Sequence, residues 1–153
     1  MKIYLDNCCY GRPFDNHDIP KTKAEAEAIE SIIEICKEAG IKIIGSTAIE
    51  SEIGEINDPR RPWLREAVER HYNETINDSI ILTDDDDTRA QALQAYNIGV
   101  MDSYHLTAAE AAGADFLLTT DPKFEKRVRR HSLSVVQVEN PITFLPEVIK
   151  WLQ

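Results

Sequence analysis

Short apolar runs alternate with amphipathic helical stretches along the chain, and this alternation limits the folds open to it. The runs that predict strands span residues 2–6, 41–45, 79–82, 116–119 and 134–138. Between the first two runs, apolar residues follow the i, i+3, i+4, i+7 spacing of a helix with one buried face: Ile29, Ile32, Ile33 and Cys36. Strands that alternate with helices predict an α/β fold, in which a parallel sheet of about five strands is covered by helices on both faces.

Local signals set the expected helix ends. The segment Thr22–Glu25 is typical of a capping box, which predicts the start of the first long helix, and Gly40 is expected to end it. Pro62 is expected at the first position of a later helix, where proline is favoured. Asp102 and Pro122 are predicted to begin an alanine-rich helix and a short basic helix. Further helices are expected at residues 47–56, 85–96 and 141–151, and a loop at residues 11–20.

Length and composition favour one globular domain over residues 1–153. A chain of 153 residues can bury a full hydrophobic core, and no repeat or long linker divides it. Cys8, Cys9 and Cys36 are odd in number and lack Cys-x-x-Cys spacing, so neither a disulfide framework nor a zinc site is expected. No signal peptide begins the chain, and no apolar run approaches the roughly 20 residues of a membrane span. We therefore expect a cytoplasmic protein with no membrane partner.

Three aspartates are expected to meet at one edge of the sheet. Asp6 ends the first predicted strand, Asp121 follows the fourth, and Asp102 starts a helix at the same edge. Ligands bind parallel sheets outside the carboxyl ends of the strands, so these positions are candidates for a binding site. Asp102 and Asp121 are also explained as helix N-caps. Asp6 is less ordinary, because aspartate is depleted in strands.

Glu52 is the fourth candidate acid. The apolar stripe of its predicted helix is formed by Ile49, Ile53 and Ile56. On a helical wheel Glu52 lies roughly 65° from the centre of that stripe, whereas Glu50 lies roughly 95° away. A partly buried carboxylate is costly unless it is paired or bound to a metal. Glu52 is therefore expected to join the aspartates, to pair with an arginine or lysine, or to bend toward solvent.

Four converging carboxylates repel one another unless a cation holds them. Ligands that are all oxygen suit Mg²⁺ or Mn²⁺, and such an ion can activate water and offset charge on a phosphoryl oxygen. This chemistry predicts phosphodiester hydrolysis. The net charge of −10 opposes a nucleic-acid partner, but five of the 17 basic residues lie between Lys123 and Arg130.

The segments around these acids resemble the PIN-domain family over nearly the whole chain. The resemblance is carried by residues 1–7, 46–53, 101–109 and 113–124, the last of which includes a Thr-x-Asp motif. It implies a three-layer α/β/α Rossmann-like fold and a metal-dependent ribonuclease acting on RNA. It implies that the catalytic and metal-binding residues are Asp6, Glu52, Asp102 and Asp121. Many members are the toxin of a toxin–antitoxin pair, so an antitoxin partner and a homodimer are further expectations.

The first loop refines this resemblance. Residues 5–15, Leu-Asp-Asn-Cys-Cys-Tyr-Gly-Arg-Pro-Phe-Asp, resemble a subgroup of bacterial and archaeal PIN proteins with a cysteine and an Arg-Pro-Phe-Asp loop. His105, one helical turn after Asp102, is expected to pack between helices, to orient that acid or to contact substrate. Trp63 and Trp151 are expected in the core or at an interface. Residues expected to contact the substrate are Asn7, Arg12, Thr120, Lys123, Lys126 and Arg127.

Two other readings of the same residues stay open. In the first, the PIN fold is catalytically silent and serves as an RNA- or protein-interaction module, which the net charge of −10 favours. In the second, the chain is a different α/β phosphohydrolase of the haloacid-dehalogenase type. That class needs Asp-x-Asp after the first strand. Here Cys8 stands in place of the second aspartate, which argues against this class.

Overall fold

Five parallel strands form one sheet in the computed structural model, which describes residues 1–153. The strand order is β3-β2-β1-β4-β5, so the predicted α/β fold with a five-stranded parallel sheet is confirmed. Strands β2 and β3 lie on one side of β1, and β4 and β5 lie on its other side. The strand order therefore reverses between β1 and β4, and this position is the switch point of the sheet. The strands are β1 (Lys2–Leu5), β2 (Lys42–Ser46), β3 (Asp78–Ile80), β4 (Phe116–Leu118) and β5 (Gln137–Glu139).

Helices flank the sheet and connect its strands. Among them, α2 packs against α8, and α5 packs against α6. None of the helices combines the length and the apolar character that crossing a membrane requires. The helices are α1 (Asn7–Gly11), α2 (Pro20–Ala39), α3 (Thr47–Gly54), α4 (Leu64–Thr75), α5 (Asp84–Gln94), α6 (Val100–Ala111), α7 (Pro122–His131) and α8 (Pro141–Ile149), with 3₁₀ turns at Arg12–Phe14 and Lys150–Leu152.

The central strand β1 is buried on both of its faces. Ile3, Tyr4 and Leu5 are consecutive and have no exposed surface, although their side chains alternate between the two faces of the sheet. A strand buried in this way is typical of a parallel sheet covered by helices on both sides. The register pairs Ile3 with Ile43 of β2 and with Phe116 of β4, so the apolar side chains of neighbouring strands lie side by side.

The predicted starts of two helices near prolines are wrong. Helix α2 begins at Pro20 instead of at the expected capping box, because proline has the backbone angle of a first helical residue and needs no N–H partner there. Helix α4 begins at Leu64, after Pro62 has formed part of a turn. By contrast, Gly40 ends α2 with a φ of +69°, a left-handed conformation that suits glycine.

The segment after β1 is more ordered than expected. Residues 7–11 form the short helix α1, and part of the expected loop at residues 11–20 forms a 3₁₀ turn. The Asp6 side chain accepts a hydrogen bond from the backbone N–H of Cys9 and so caps α1. The first acid of the candidate site is therefore also a structural residue.

Candidate metal centre

Four acids from distant parts of the chain line one cavity of about 330 Å³ at the carboxyl end of the sheet. These are the acids that the sequence singled out, and the cavity lies beside the switch point of strand order. Each acid lies in a different helix or at a different element boundary. The lining residues are Asp6, Asn7, Cys8, Arg12, Glu52, Asp102, His105, Thr120 and Asp121.

The two strand-end aspartates are helix caps that also face the cavity. Asp6 follows β1 and is 4% exposed, while Asp121 precedes Pro122 at the start of α7. Asp121 Oδ1 accepts the N–H groups of Lys123 at 2.9 Å and Phe124 at 3.4 Å. Both bonds go to the same oxygen, so Oδ2 remains available for a ligand. The capping role and the ligand role, which appeared as alternatives in the sequence, are compatible in the structure.

Asp102 is not the N-cap that was expected. Helix α6 begins at Val100, so Asp102 lies within its first turn, where the helix dipole favours an acid. Burial, followed by the negative charges of Asp6 and Asp121, raises the pKa of Asp102 to about 6. Burial also raises the pKa of Asp6 well above its usual value. Without metal, the ionised forms of Asp6 and Asp102 are therefore disfavoured in this cavity.

The two glutamates of α3 point to different surroundings. Glu52 lines the cavity, and its Oε1 contacts Nε2 of His105. Glu50 instead accepts hydrogen bonds from the Tyr72 hydroxyl at 2.7 Å and from Ser79 Oγ at 2.9 Å. The helical wheel thus selected the acid that the structure places with the three aspartates.

His105 was only partly understood from the sequence. It is 2% exposed, it lines the cavity, and its partners are Glu52 and Tyr4, not Asp102. Its position three residues after Asp102 predicted an interaction with that acid, but the carboxylate that His105 contacts is that of Glu52. The residue that it does contact lies 53 positions away, on a different helix.

Arg12 is the only lysine or arginine that lines the cavity. Its guanidinium donates to Asp15 at 2.9 Å and to Thr120 Oγ1 at 2.8 Å, and its Nε lies 3.4 Å from the buried carboxylate of Glu25. A guanidinium held at three points is preorganised beside the acids. Of the six residues expected to contact substrate, Asn7, Arg12 and Thr120 line the cavity.

The other three expected substrate residues lie outside the cavity. Lys123, Lys126 and Arg127 are exposed along α7, whose first residue follows Asp121. Arg127 donates to the backbone carbonyl of Asn97 at 2.9 Å, so part of its hydrogen-bonding capacity is used within the protein. These cations are therefore not part of the cavity lining.

Cys8 lines the cavity and does more than fill space in the core. Its thiol contacts Asp6 Oδ1, and its Sγ accepts the backbone N–H of Thr120 at 3.4 Å. Ligand atoms of Asp6, Cys8 and Cys9 lie within 4.8 Å of one another. A site with two thiols would suit a soft metal, but the fully buried Cys9 thiol donates to the carbonyl of Leu118. We therefore regard the carboxylates as the better ligand set.

The cavity fits a hard divalent cation. Its four carboxylates supply oxygen ligands, which Mg²⁺ and Mn²⁺ prefer. Asn7 Oδ1 is buried in the same wall without any hydrogen-bond partner. A buried amide oxygen without a partner needs an explanation, and a cation or its bound water would satisfy it. A cation would also offset the two causes that raise the pKa of Asp102, burial and, after it, the negative charges of Asp6 and Asp121.

Without divalent metal, the contribution of Asp102 to the free energy of unfolding is expected to fall as the pH rises. The pKa of Asp102 is about 6 in the folded protein and 3.8 in the unfolded chain, so the folded state binds this proton more tightly. The resulting stabilisation is complete below the unfolded value and is lost as the pH rises through about 6. Urea unfolding in EDTA should show this loss between about pH 4 and pH 7. Asp102→Asn should flatten the dependence, and an identical slope in the variant would contradict the assignment.

Comparison with known proteins identifies the fold. No family model matches the chain, and no curated protein matches its sequence. Among solved structures, a chain of VapBC2 from Rickettsia felis, bound to a DNA fragment from their promoter, superposes with a TM-score of 0.62. The two share 14% identity over 92% of this chain and 98% of the matched chain. This chain has the PIN-domain fold.

Two further structures agree with the PIN-domain fold. FitAB bound to an IR36 DNA fragment gives a TM-score of 0.55 with 15% identity, over 92% of this chain and 95% of the other. VapBC-1 from nontypeable Haemophilus influenzae gives 0.52 with 15% identity, over 92% and 98%. At such low identity the similarity establishes the fold, and the family resemblance seen in the sequence is confirmed at that level.

Proposed function

We propose that this PIN-fold chain is an endoribonuclease that uses Mg²⁺ or Mn²⁺ to hydrolyse RNA phosphodiester bonds. The observation that carries the proposal is the cavity, in which four carboxylates from distant parts of the chain meet beside an unsatisfied amide oxygen. In this proposal the metal-binding and catalytic residues are Asp6, Glu52, Asp102 and Asp121.

The side chains around the cavity have distinct tasks in this chemistry. A bound divalent cation supplies Lewis acidity, which activates water and offsets charge on the phosphoryl group. Asp6 and Asp121 are held by the caps of α1 and α7, so their carboxylates need little reorganisation to act as ligands. Arg12 and Thr120, linked to each other at 2.8 Å, border the same space and could contact a phosphate oxygen.

RNA would reach the cavity along α7. The exposed cations Lys123, Lys126 and Arg127 lie on the helix that starts after Asp121 and can contact the backbone phosphates. The overall charge of −10 confines favourable contact with RNA to such local basic surfaces. The three free cysteines support a reducing, cytoplasmic location for this activity.

An antitoxin is the proposed protein partner, and a second copy of the chain is a further one. The support is the resemblance to toxin members of the family and the fold shared with chains of the VapBC and FitAB complexes. Trp63 and Trp151 are 51% and 58% exposed, so they are not core residues and are available to an interface. Large exposed aromatic side chains are enriched where proteins associate.

A catalytically silent interaction module is the second candidate function. The net charge of −10 favours it, because affinity for RNA depends on cations. In that case the cavity would bind no metal, and the acids would have structural roles only. Metal binding therefore separates the two functions.

The matched pair Glu52→Gln and Glu50→Gln tests the ribonuclease. The purified protein and both variants are incubated with a mixed RNA pool in Mg²⁺, in Mn²⁺ and in EDTA. Cleavage should need metal, should be lost in Glu52→Gln, and should persist in Glu50→Gln, because Glu50 contacts Tyr72 and Ser79 outside the cavity.

The remaining outcomes of this experiment are informative. If the protein binds metal by calorimetry but cuts nothing, its substrate is narrow or a partner inhibits it. Absence of both cleavage and metal binding would favour the interaction module. Equal cleavage by both variants would show that Glu52 is not part of the centre.

A further inference from the structure

A row of polar side chains runs from the buried centre of the sheet to the cavity. The Tyr4 hydroxyl lies 2.7 Å from Ser46 Oγ and 2.8 Å from His105 Nδ1, and His105 Nε2 contacts Glu52 Oε1. Tyr4 and Ser46 have no exposed surface, and His105 is 2% exposed. Polar groups buried this deeply need partners, so the members of the row depend on one another.

The donors and acceptors of the row can be arranged so that each proton has an acceptor. Ser46 Oγ accepts the backbone N–H of Ile49 at 3.3 Å, which leaves its own proton for the Tyr4 oxygen. Tyr4 then donates to Nδ1 of His105. The imidazole carries its proton on Nε2 and donates it to Glu52 Oε1. This arrangement uses a neutral histidine and ends on a carboxylate of the cavity.

The row connects side chains of three elements to the Glu52 carboxylate on a fourth. Tyr4 is on β1, Ser46 ends β2, His105 is on α6, and Glu52 is on α3. His105 is the basic side chain that contacts the Glu52 carboxylate, and no lysine or arginine forms an ion pair with it. Since the imidazole occupies Oε1, the other oxygen is left to a cation. A glutamate without this contact would have three torsions free to move.

We propose that His105 is the positioning residue of Glu52, and that Tyr4 and Ser46 hold it in place so that the Glu52 carboxylate is oriented for a divalent cation. The proposal rests on the cation of the proposed function and not on RNA cleavage. Partners that orient a metal ligand in this way typically contribute about 10- to 100-fold to metal affinity. A histidine that only filled space between α3 and α6 would contribute nothing specific to metal binding.

Three substitutions separate positioning from packing. His105→Leu keeps an apolar side chain but removes the donor, and should weaken Mn²⁺ binding by about 10- to 100-fold in calorimetry. His105→Gln keeps an N–H donor at similar reach and should recover most of the affinity. Tyr4→Phe keeps the buried ring, removes the hydroxyl that holds Nδ1, and should cause a smaller loss.

Glu52→Gln supplies the reference for a cycle of variants. Its loss of Mn²⁺ affinity should be at least as large as that of His105→Leu, and the double variant should lose little more, because both changes remove the same interaction. In the metal-free protein, Glu52→Gln should shift the nitrogen resonance of His105 Nε2 in an NMR spectrum. This readout does not depend on metal or on RNA.

Specific results would overturn the proposal. Parent affinity in His105→Leu, or equal losses in the Leu and Gln variants, would show that the histidine only packs. If His105→Leu does not fold, parent affinity in Tyr4→Phe together with an unchanged Nε2 resonance in Glu52→Gln would have the same meaning. Failure of the parent protein to bind Mn²⁺ would overturn both the positioning role and the metal centre. Mn²⁺ binding without RNA cleavage would concern the ribonuclease alone and would leave the positioning role in place.

Discussion

Replacing Asp102 with asparagine is expected to abolish RNA cleavage while the protein stays folded. The loss should be roughly 10²- to 10³-fold or more, as when one group that stabilises developing charge is removed. Burial and, after it, the negative charges of Asp6, Asp121 and Glu52 raise the pKa of Asp102, so a cation would stabilise its ionised form. Single-turnover cleavage in Mn²⁺ and calorimetry with Mn²⁺ measure the effect on rate and on binding.

Asp85→Asn is the matched control for this substitution. Asp85 is exposed in the first turn of α5 and does not line the cavity, so its removal changes the net charge equally without touching the centre. Metal should also raise the melting temperature of the parent and of Asp85→Asn, because ligand that binds only the folded state stabilises it. Asp102→Asn should lack this rise. Parent-like cleavage by Asp102→Asn would remove the acid from the proposed centre.

Gly45→Ala is expected to destabilise the fold by about 1–3 kcal/mol, the usual cost of overpacking a core. A Cβ at this position would lie 2.1 Å from the Tyr72 hydroxyl and 2.7 Å from its Cζ. Tyr72 is 2% exposed, and its hydroxyl donates to Glu50 at 2.7 Å, so the ring cannot move without losing a contact. Urea unfolding at one pH, with and without the substitution, measures the change in free energy.

The same substitution at Gly54 should change the stability in the opposite direction. No atom lies within 4 Å of a Cβ built at Gly54, which is the last residue of α3. Alanine restricts the unfolded chain more than glycine does, so Gly54→Ala should stabilise by about 0.4–1 kcal/mol. Adding Tyr72→Ala to Gly45→Ala should remove the overlap and make the two changes non-additive. Equal effects at the two glycines would contradict the close approach.

Several features of the fold could be predicted because they depend on residues close together in sequence. The alternation of apolar runs and amphipathic helices predicted five strands in a parallel sheet, and Gly40 marked the end of α2. The errors lie where two local signals compete. At the start of α2 the expected capping box competed with Pro20, and after β1 the helix α1 depends on a cap from Asp6 that the strand pattern does not reveal.

The candidate site was predictable to the extent that its acids follow the geometry of strands and helices. Strand ends placed Asp6 and Asp121 at one edge, and helical spacing selected Glu52 over Glu50. The sequence left the capping and ligand roles of Asp121 as alternatives. The two roles are compatible because one carboxylate oxygen accepts both backbone N–H groups and the other stays free.

The sequence by itself determined the class of fold, the edge of the sheet at which acids collect and the identity of the four acids, because periodicity and strand ends are local properties. Only the tertiary structure decided which side chains meet across elements. It paired His105 with Glu52 and Tyr4, brought Arg12 to Thr120, and left Lys126 outside the cavity. Such contacts depend on how helices pack and where side chains point, and positions separated by 40 to 110 residues carry no local signal of them.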